Sequence, residues 1–184
     1  MRMYINGDWV DRAETIPVLN PFDKSVIDTV PRGTAADMDQ AIGSAVRGAK
    51  AMAKLTSYER YAILQRAAEL MGQRAEDLGQ TITLEEGKVI AEGRGEVQRA
   101  IQTITGSSEE AKRLHGETIP LDAAPGNVNE FGFTIRVPVG VVAAISPFNF
   151  PLNLVCHKVG PALAAGNSVV LKPAGDTPLS ALKL

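Results

Sequence analysis

The run Val139-Gly140-Val141-Val142-Ala143-Ala144-Ile145 and the shorter run Ser168-Val169-Val170-Leu171, with residues 146–167 between them, decide the fold. The first is a nearly unbroken apolar stretch rich in valine and alanine, the composition of a strand covered on both faces of a parallel sheet. The second is short and β-branched, again a strand. Between them Ser146-Pro147-Phe148-Asn149-Phe150-Pro151 reads as a loop. Pro151 falls at or near the first helical position, where its missing N–H costs nothing. The helix runs to about Ala165, and Gly166-Asn167 ends it. A strand–helix–strand unit of this kind crosses over right-handedly in nearly all proteins. Its two strands finish at one edge of the sheet, so the loops Ser146–Phe150 and Lys172–Asp176 are expected side by side. Ligands of open α/β sheets bind in the crevice at that edge. Asn149 brings a neutral amide there, Lys172 a cation, and Thr177-Pro178 opens a further helix.

Upstream, Met3–Ile5 and Trp9–Val10 read as strands around an Asn6-Gly7 turn, and Val26–Val30 as a strand after the turn Asn20-Pro21-Phe22-Asp23. Four helices follow. Thr34 with Asp37 starts the first, which runs to about Leu55; Ser57 caps the second; the third covers about Ala75–Glu86 and stops at Gly87; the fourth starts near Val89. Beyond residue 115 the composition changes. Asp122–Asn127 is turn chemistry, and Phe131, Phe133, Ile135 and Val137 then alternate with Gly132, Thr134 and Arg136, closed by Pro138. Spacing leaves two readings of this strand: a surface strand inside one domain, or an arm that extends a sheet on another subunit.

The chain has 184 residues, 45% of them hydrophobic, with a net charge of −2. That apolar share supports a packed core and excludes a disordered chain. The near-neutral balance, with no basic stripe, argues against nucleic acid as a partner, and no segment approaches the ~20 apolar residues of a membrane span. One cysteine, Cys156, permits no internal disulfide, and the N-terminus lacks the apolar core of a signal peptide. A soluble, cytoplasmic protein is expected.

Familiar catalytic signatures are missing. Gly93-Arg94-Gly95 does not complete a dinucleotide fingerprint, there is no Walker loop, and adjacent Cys156 and His157 on a helix do not have metal-ligand spacing. A lone helical cysteine reads as core. Asn149 is either a turn residue before Phe-Pro or an amide donor aimed at a developing oxyanion. Lys172 is either a solvated strand-end lysine or a donor to sugar hydroxyls or phosphate.

The segment Pro147-Phe148-Asn149-Phe150-Pro151, followed by Lys158-Val159-Gly160-Pro161-Ala162-Leu163-Ala164-Ala165-Gly166-Asn167-Ser168-Val169-Val170-Leu171-Lys172-Pro173-Ala174, resembles the aldehyde dehydrogenase superfamily. Ile5-Asn6-Gly7, Trp9-Val10, Asn20-Pro21, Glu59-Arg60, Ile63-Leu64, Glu86-Gly87-Lys88, Glu96-Val97 and Arg136-x-Pro138-x-Gly140-Val141-Val142 resemble the N-terminal portion of the same family.

The resemblance implies an α/β fold: a helical layer and the start of a parallel Rossmann-like cofactor sheet. Residues 1–120 and 139–184 would form a partial NAD(P)-binding domain, with 121–138 a β arm for homo-oligomerisation into a dimer or tetramer. It implies oxidation of a small-molecule aldehyde to a carboxylic acid with NAD or NADP, through a cysteine thiohemiacetal. Asn149 then corresponds to the oxyanion-stabilising asparagine, Ile145, Ser146, Pro147 and Phe148 to backbone lining the cofactor site, and Lys172 to the lysine contacting the adenosine ribose, with Ala174 and Gly175 beside it. Lys158 corresponds to a helix lysine sometimes placed in a proton path. Phe148 stands where many members have Trp. Gly175 stands where NAD-preferring members often carry Glu, so NADP is expected to be tolerated, because glycine cannot repel a 2′-phosphate. The family's nucleophilic cysteine, general base and catalytic domain are expected beyond residue 184, so this chain alone is expected to be inactive. The Phe-Asn-Phe-Pro-Leu-Asn form resembles branches acting on small polar or anionic aldehydes. The alternative is a non-catalytic nucleotide-binding or oligomerisation fragment.

Overall fold

The computed structural model describes residues 1–184. Two antiparallel hairpins come first: β1 (Met3–Ile5) with β2 (Asp8–Val10), then β3 (Thr15–Leu19) with β4 (Val26–Pro31). β3 was not among the expected strands. Pro17 at its centre removes a ladder donor, which a two-stranded hairpin tolerates because one side of each strand is free.

Helix α1 (Ala35–Met52) begins with the anticipated capping box: Thr34 Oγ1 accepts from the Asp37 amide, and the Asp37 carboxylate accepts from the Thr34 amide at 2.9 Å. The cap of α2 (Ser57–Gln73) is Thr56, not the expected Ser57. Thr56 and Glu59 form the reciprocal box, which places Ser57 at the first helical position. α3 (Ala75–Glu86) ends at Gly87, whose φ of +90° suits the left-handed C-cap. α4 (Ile90–Ala111) is the longest helix and the centre of the core. Leu64, Ala68 and Met71 of α2, Leu78 and Ile82 of α3, and Val97, Ala100 and Ile104 of α4 form one buried cluster with Leu152 and Cys156.

After α4, β5 (Thr118–Ile119) pairs antiparallel with β6 (Gly132–Phe133), and a short 3-10 turn spans Leu121–Ala123. The expected strand over 131–137 is thus only two residues long within this chain. Ile135 and Val137 have no ladder partner and, like Phe131 and Phe133, are exposed. A strand's hydrogen-bonding groups need a neighbour, and alternation alone does not supply one.

The deciding unit forms as a parallel pair. β7 (Val141–Ile145) runs beside β8 (Ser168–Lys172), with α5 (Asn153–Ala164) as the crossover, and α6 (Leu179–Lys183) follows. Pro151 lies two residues before α5, near its first position as expected. β7 is not covered on both faces: Ala144 is buried, but Ile145 is 67% exposed. α1 and α5 both pack on this pair. α5 approaches α4 closely at Gly160, where an added Cβ would lie 2.7 Å from Ser107 Oγ. No helix is long and apolar enough to cross a membrane.

Candidate functional site

Parallel pairing with Ile145 opposite Lys172 brings both strand ends to one sheet edge. The Ser146 amide donates to the Lys172 carbonyl at 3.3 Å, and Thr177 Oγ1 donates to the Phe148 carbonyl at 3.3 Å. The loops carrying Asn149 and Lys172 therefore lie side by side, as the spacing predicted. Of the expected site residues, Ile145, Pro147, Phe148, Asn149, Lys172 and Gly175 are exposed on this edge, Ala174 is half-buried and Ser146 is buried. Lys172 Nζ reaches only the neighbouring Pro173 carbonyl at 3.3 Å and has no acidic partner. Ser146 Oγ is buried without any hydrogen-bond partner, and an added Cβ on Gly175 would meet open space. The Asn149 side-chain amide makes no intramolecular bond, while the Asn149 carbonyl accepts from Lys88 Nζ at 2.5 Å.

That lysine, with Glu96 and Glu85, borders the loop's setting without a role assigned from the sequence, where Lys88 and Glu96 entered only through the resemblance. Lys88 Nζ also lies 2.9 Å from Glu96 Oε2 and 3.9 Å from the Phe150 ring centre. Glu96 is fully buried, and its Oε1 accepts from the Leu152 amide at 2.9 Å and the Asn153 amide at 3.1 Å. A carboxylate on the first free amides of a helix satisfies orphan donors and meets the positive end of the helix dipole. Glu85 does the same for α6, its two oxygens accepting from Leu179 and Ser180 at 2.6 and 2.8 Å. Burial, opposed by those hydrogen bonds, raises the Glu85 carboxyl above the ordinary range. Both glutamates lie on apolar helical stripes, Glu85 after Leu78 and Ile82, and Glu96 beside Val97 and Ala100. An acid on a core-facing stripe was the available signal.

Cys156 is fully buried, and burial pushes its thiol up to about 12, so it is protonated at neutral pH and unsuited to nucleophilic attack. Lys158, half-buried on α5, makes no hydrogen bond or ion pair. A cleft of about 390 Å³ adjoins this edge, sharing Phe148 and Thr177 with it and walled beyond them by Pro21, Lys24, Glu86 and Asp176 among others. Neither Asn149 nor Lys172 lines it.

An open parallel pair with an unpartnered amide, an unpaired ammonium and an uncrowded glycine at its carboxyl edge has the form of the crevice where open α/β sheets bind ligands. Residues 9–184 match the aldehyde dehydrogenase family, and the chain belongs to that family. It is 51% identical over 182 residues to 3-sulfolactaldehyde dehydrogenase of Priestia aryabhattai, an alignment covering 99% of this chain and 38% of that protein. It is 43% identical to succinate-semialdehyde dehydrogenase [NADP(+)] GabD of Escherichia coli, covering 98% of this chain and 37% of that one. The crystal structure of aldehyde dehydrogenase 21 from Physcomitrella patens, in complex with the reaction product succinate, superposes with a TM-score of 0.95 at 44% identity over 99% of this chain and 38% of that one. The chain spans little more than a third of the length of these relatives and corresponds to the N-terminal region of the family fold.

Proposed function

We propose that this chain supplies the cofactor-gripping first part of an NAD(P)-dependent aldehyde dehydrogenase that converts a small aldehyde to its carboxylic acid. The observation that carries the reading is the register of β7 against β8, which sets Ser146–Asn149 beside Lys172–Gly175. The residues there fit a dinucleotide. Lys172 offers an unpaired cation to ribose hydroxyls or phosphate, Ser146 Oγ is an orphaned polar atom, and Ile145, Pro147 and Phe148 present an exposed apolar wall, with Ala174 and Gly175 leaving room opposite. When bound, NAD(P) supplies a hydride acceptor.

The chain's own contribution is positioning. Asn149 directs its side-chain amide at the aldehyde oxygen, where negative charge develops, and removing such a donor costs ~10²–10³ in rate. Lys88 and Glu96 hold the backbone on which that amide is mounted. Cys156, buried and protonated, is not the nucleophile. Gly175 places no carboxylate near the 2′ position, so NADP is accepted as well as NAD. By their names, relatives act on 3-sulfolactaldehyde and succinate semialdehyde, which carry an anionic group away from the aldehyde, and this supports an anionic aldehyde as substrate class. Assembly into a homo-oligomer uses the exposed alternating face within residues 121–138, and the protein works in the cytoplasm.

Calorimetric titration of the chain with NAD and NADP tests the reading. Both are expected to bind with affinities within about tenfold of each other, and Lys172→Met weakens both about tenfold, the loss of one charge-assisted contact. No binding of either dinucleotide overturns it.

A further inference from the structure

The loop that follows β8 is held almost entirely from its two ends. From Ala174 to Thr177 no backbone amide finds an acceptor in the protein. The bonds along it are two long ones, Lys172 Nζ to the Pro173 carbonyl and Thr177 Oγ1 to the Phe148 carbonyl, each at 3.3 Å. One end is fixed by the ladder, where Ile145 faces Lys172 and the Ser146 amide donates to the Lys172 carbonyl. The other end is α6, a helix of five residues. Isolated helices shorter than ~12–15 residues are marginal in water, so α6 must be held by its surroundings. At its start stands Glu85, the penultimate residue of α3, buried and 94 positions earlier in the chain. One carboxylate oxygen accepts from the Leu179 amide at 2.6 Å and the other from the Ser180 amide at 2.8 Å. At the far end of α6, Lys183 Nζ donates to Asp77 and Thr81 of α3 at 2.6 and 2.8 Å. Glu85 shares a cleft wall with Phe148, Asp176 and Thr177, so the carboxylate stands against the loop itself.

We propose that Glu85 is a positioning residue for the dinucleotide: it acts through Lys172, holding Pro173–Thr177 in the course that presents the Lys172 ammonium and Gly175 to the ligand. The proposal rests on the cofactor reading for the identity of that ligand. A segment without internal hydrogen bonds keeps its freedom unless both ends are held, and the cost of ordering it then falls on binding. A carboxylate suits the far end because it accepts two amides at once, each a charge-assisted bond. An apolar side chain would pack at the same place but would orphan both helix donors and free the end of the loop. Burying an acid is unfavourable without such partners, and Glu85 has no ion pair, so the two amides are what hold it there. Glu96 holds the start of α5 in the same way, through the Leu152 and Asn153 amides. Each loop of the crevice is thus followed by a helix pinned to a buried glutamate of the helical layer, and the spacing of the two loops is set from beneath.

The test titrates the 184-residue chain with NADP by calorimetry and reads the order of the Ala174–Thr177 amides by heteronuclear NOE. Glu85→Gln has the same size and keeps one acceptor oxygen. It should weaken NADP binding about fivefold, the loss of one hydrogen bond's worth of positioning, and lower the NOE across Ala174–Thr177. Glu85→Asp, which keeps the charge but falls short of both amides, should act in the same direction. Lys172→Met, which costs about tenfold in the wild type, should cost no more than about twofold in the Glu85→Gln chain, because the ammonium is no longer held in place. Lys183→Met loosens the other end of α6 and serves as the control: it should lower the thermal midpoint yet leave NADP affinity and the loop NOE unchanged. Additive losses from Glu85→Gln and Lys172→Met, an unchanged NOE in both Glu85 variants, or an equal loss of affinity in Lys183→Met overturns the proposal. Absence of NADP binding by the wild-type chain instead strikes the cofactor reading, and the loop NOE then decides alone whether Glu85 orders the segment.

Discussion

Glu96 Oε1 accepts a hydrogen bond from the Leu152 amide across 56 residues of sequence, inside the core, while its other oxygen pairs with Lys88. One buried carboxylate therefore joins the helical layer to the start of α5 and, through Lys88, to the loop that carries Asn149. Removing either partner strands a buried charge, which costs about 3–5 kcal/mol in comparable pairs. Lys88→Met and Glu96→Ala should each lower the urea midpoint by that order, and the double variant should lose less than the sum of the two. Strict additivity would show that the two side chains act independently.

Asp37 gives the acid limb of the stability curve. The Arg12 guanidinium, followed by hydrogen bonds from Thr34, holds its carboxyl down at about 2, below the ordinary 3.8. A depressed value in the folded state means that the unfolded chain binds the proton more readily as the pH falls. Stability from this group is present above about pH 4 and is lost as the pH falls through about 2. Asp37→Asn should flatten the thermal midpoint over that range. Glu85 acts in the opposite sense: its raised value makes its contribution greatest below 4.5 and smaller as the pH rises through the folded value. Glu85→Gln should remove that decline.

The thiol of Cys156, fully buried and raised to about 12, should resist iodoacetamide in the folded chain at pH 8 and react within minutes once urea unfolds it. Rapid labelling of the native chain would show that α5 opens readily.

Gly175 is exposed with open space around it, so a side chain fits there without displacing neighbours. Gly175→Glu should cut NADP affinity at least tenfold and change NAD affinity little, as read by calorimetry. An equal effect on both dinucleotides would remove Gly175 from the 2′ position.

Much of this arrangement could be read before the structure. The Thr34 and Asp37 box, the stop at Gly87, and the parallel pair around residues 139–172 each follow from local chemistry, because capping, left-handed glycine and apolar runs need no distant partner to be recognised. What depended on distant partners was harder. The alternation from Phe131 to Val137 predicts a strand, but only Gly132–Phe133 finds a ladder. Glu96 and Lys88 were noted only as part of a resemblance, since nothing local says that a carboxylate 56 positions away caps α5.

The central claim is that the ends of β7 and β8 together grip the dinucleotide. Chemical-shift mapping of an isotopically labelled chain titrated with NADP tests it most directly. The perturbed amides should cluster at Ile145–Asn149 and Lys172–Gly175 and saturate with a single affinity. Perturbations centred instead on the cleft walled by Lys24 and Glu86, or spread over the surface without saturation, would contradict it.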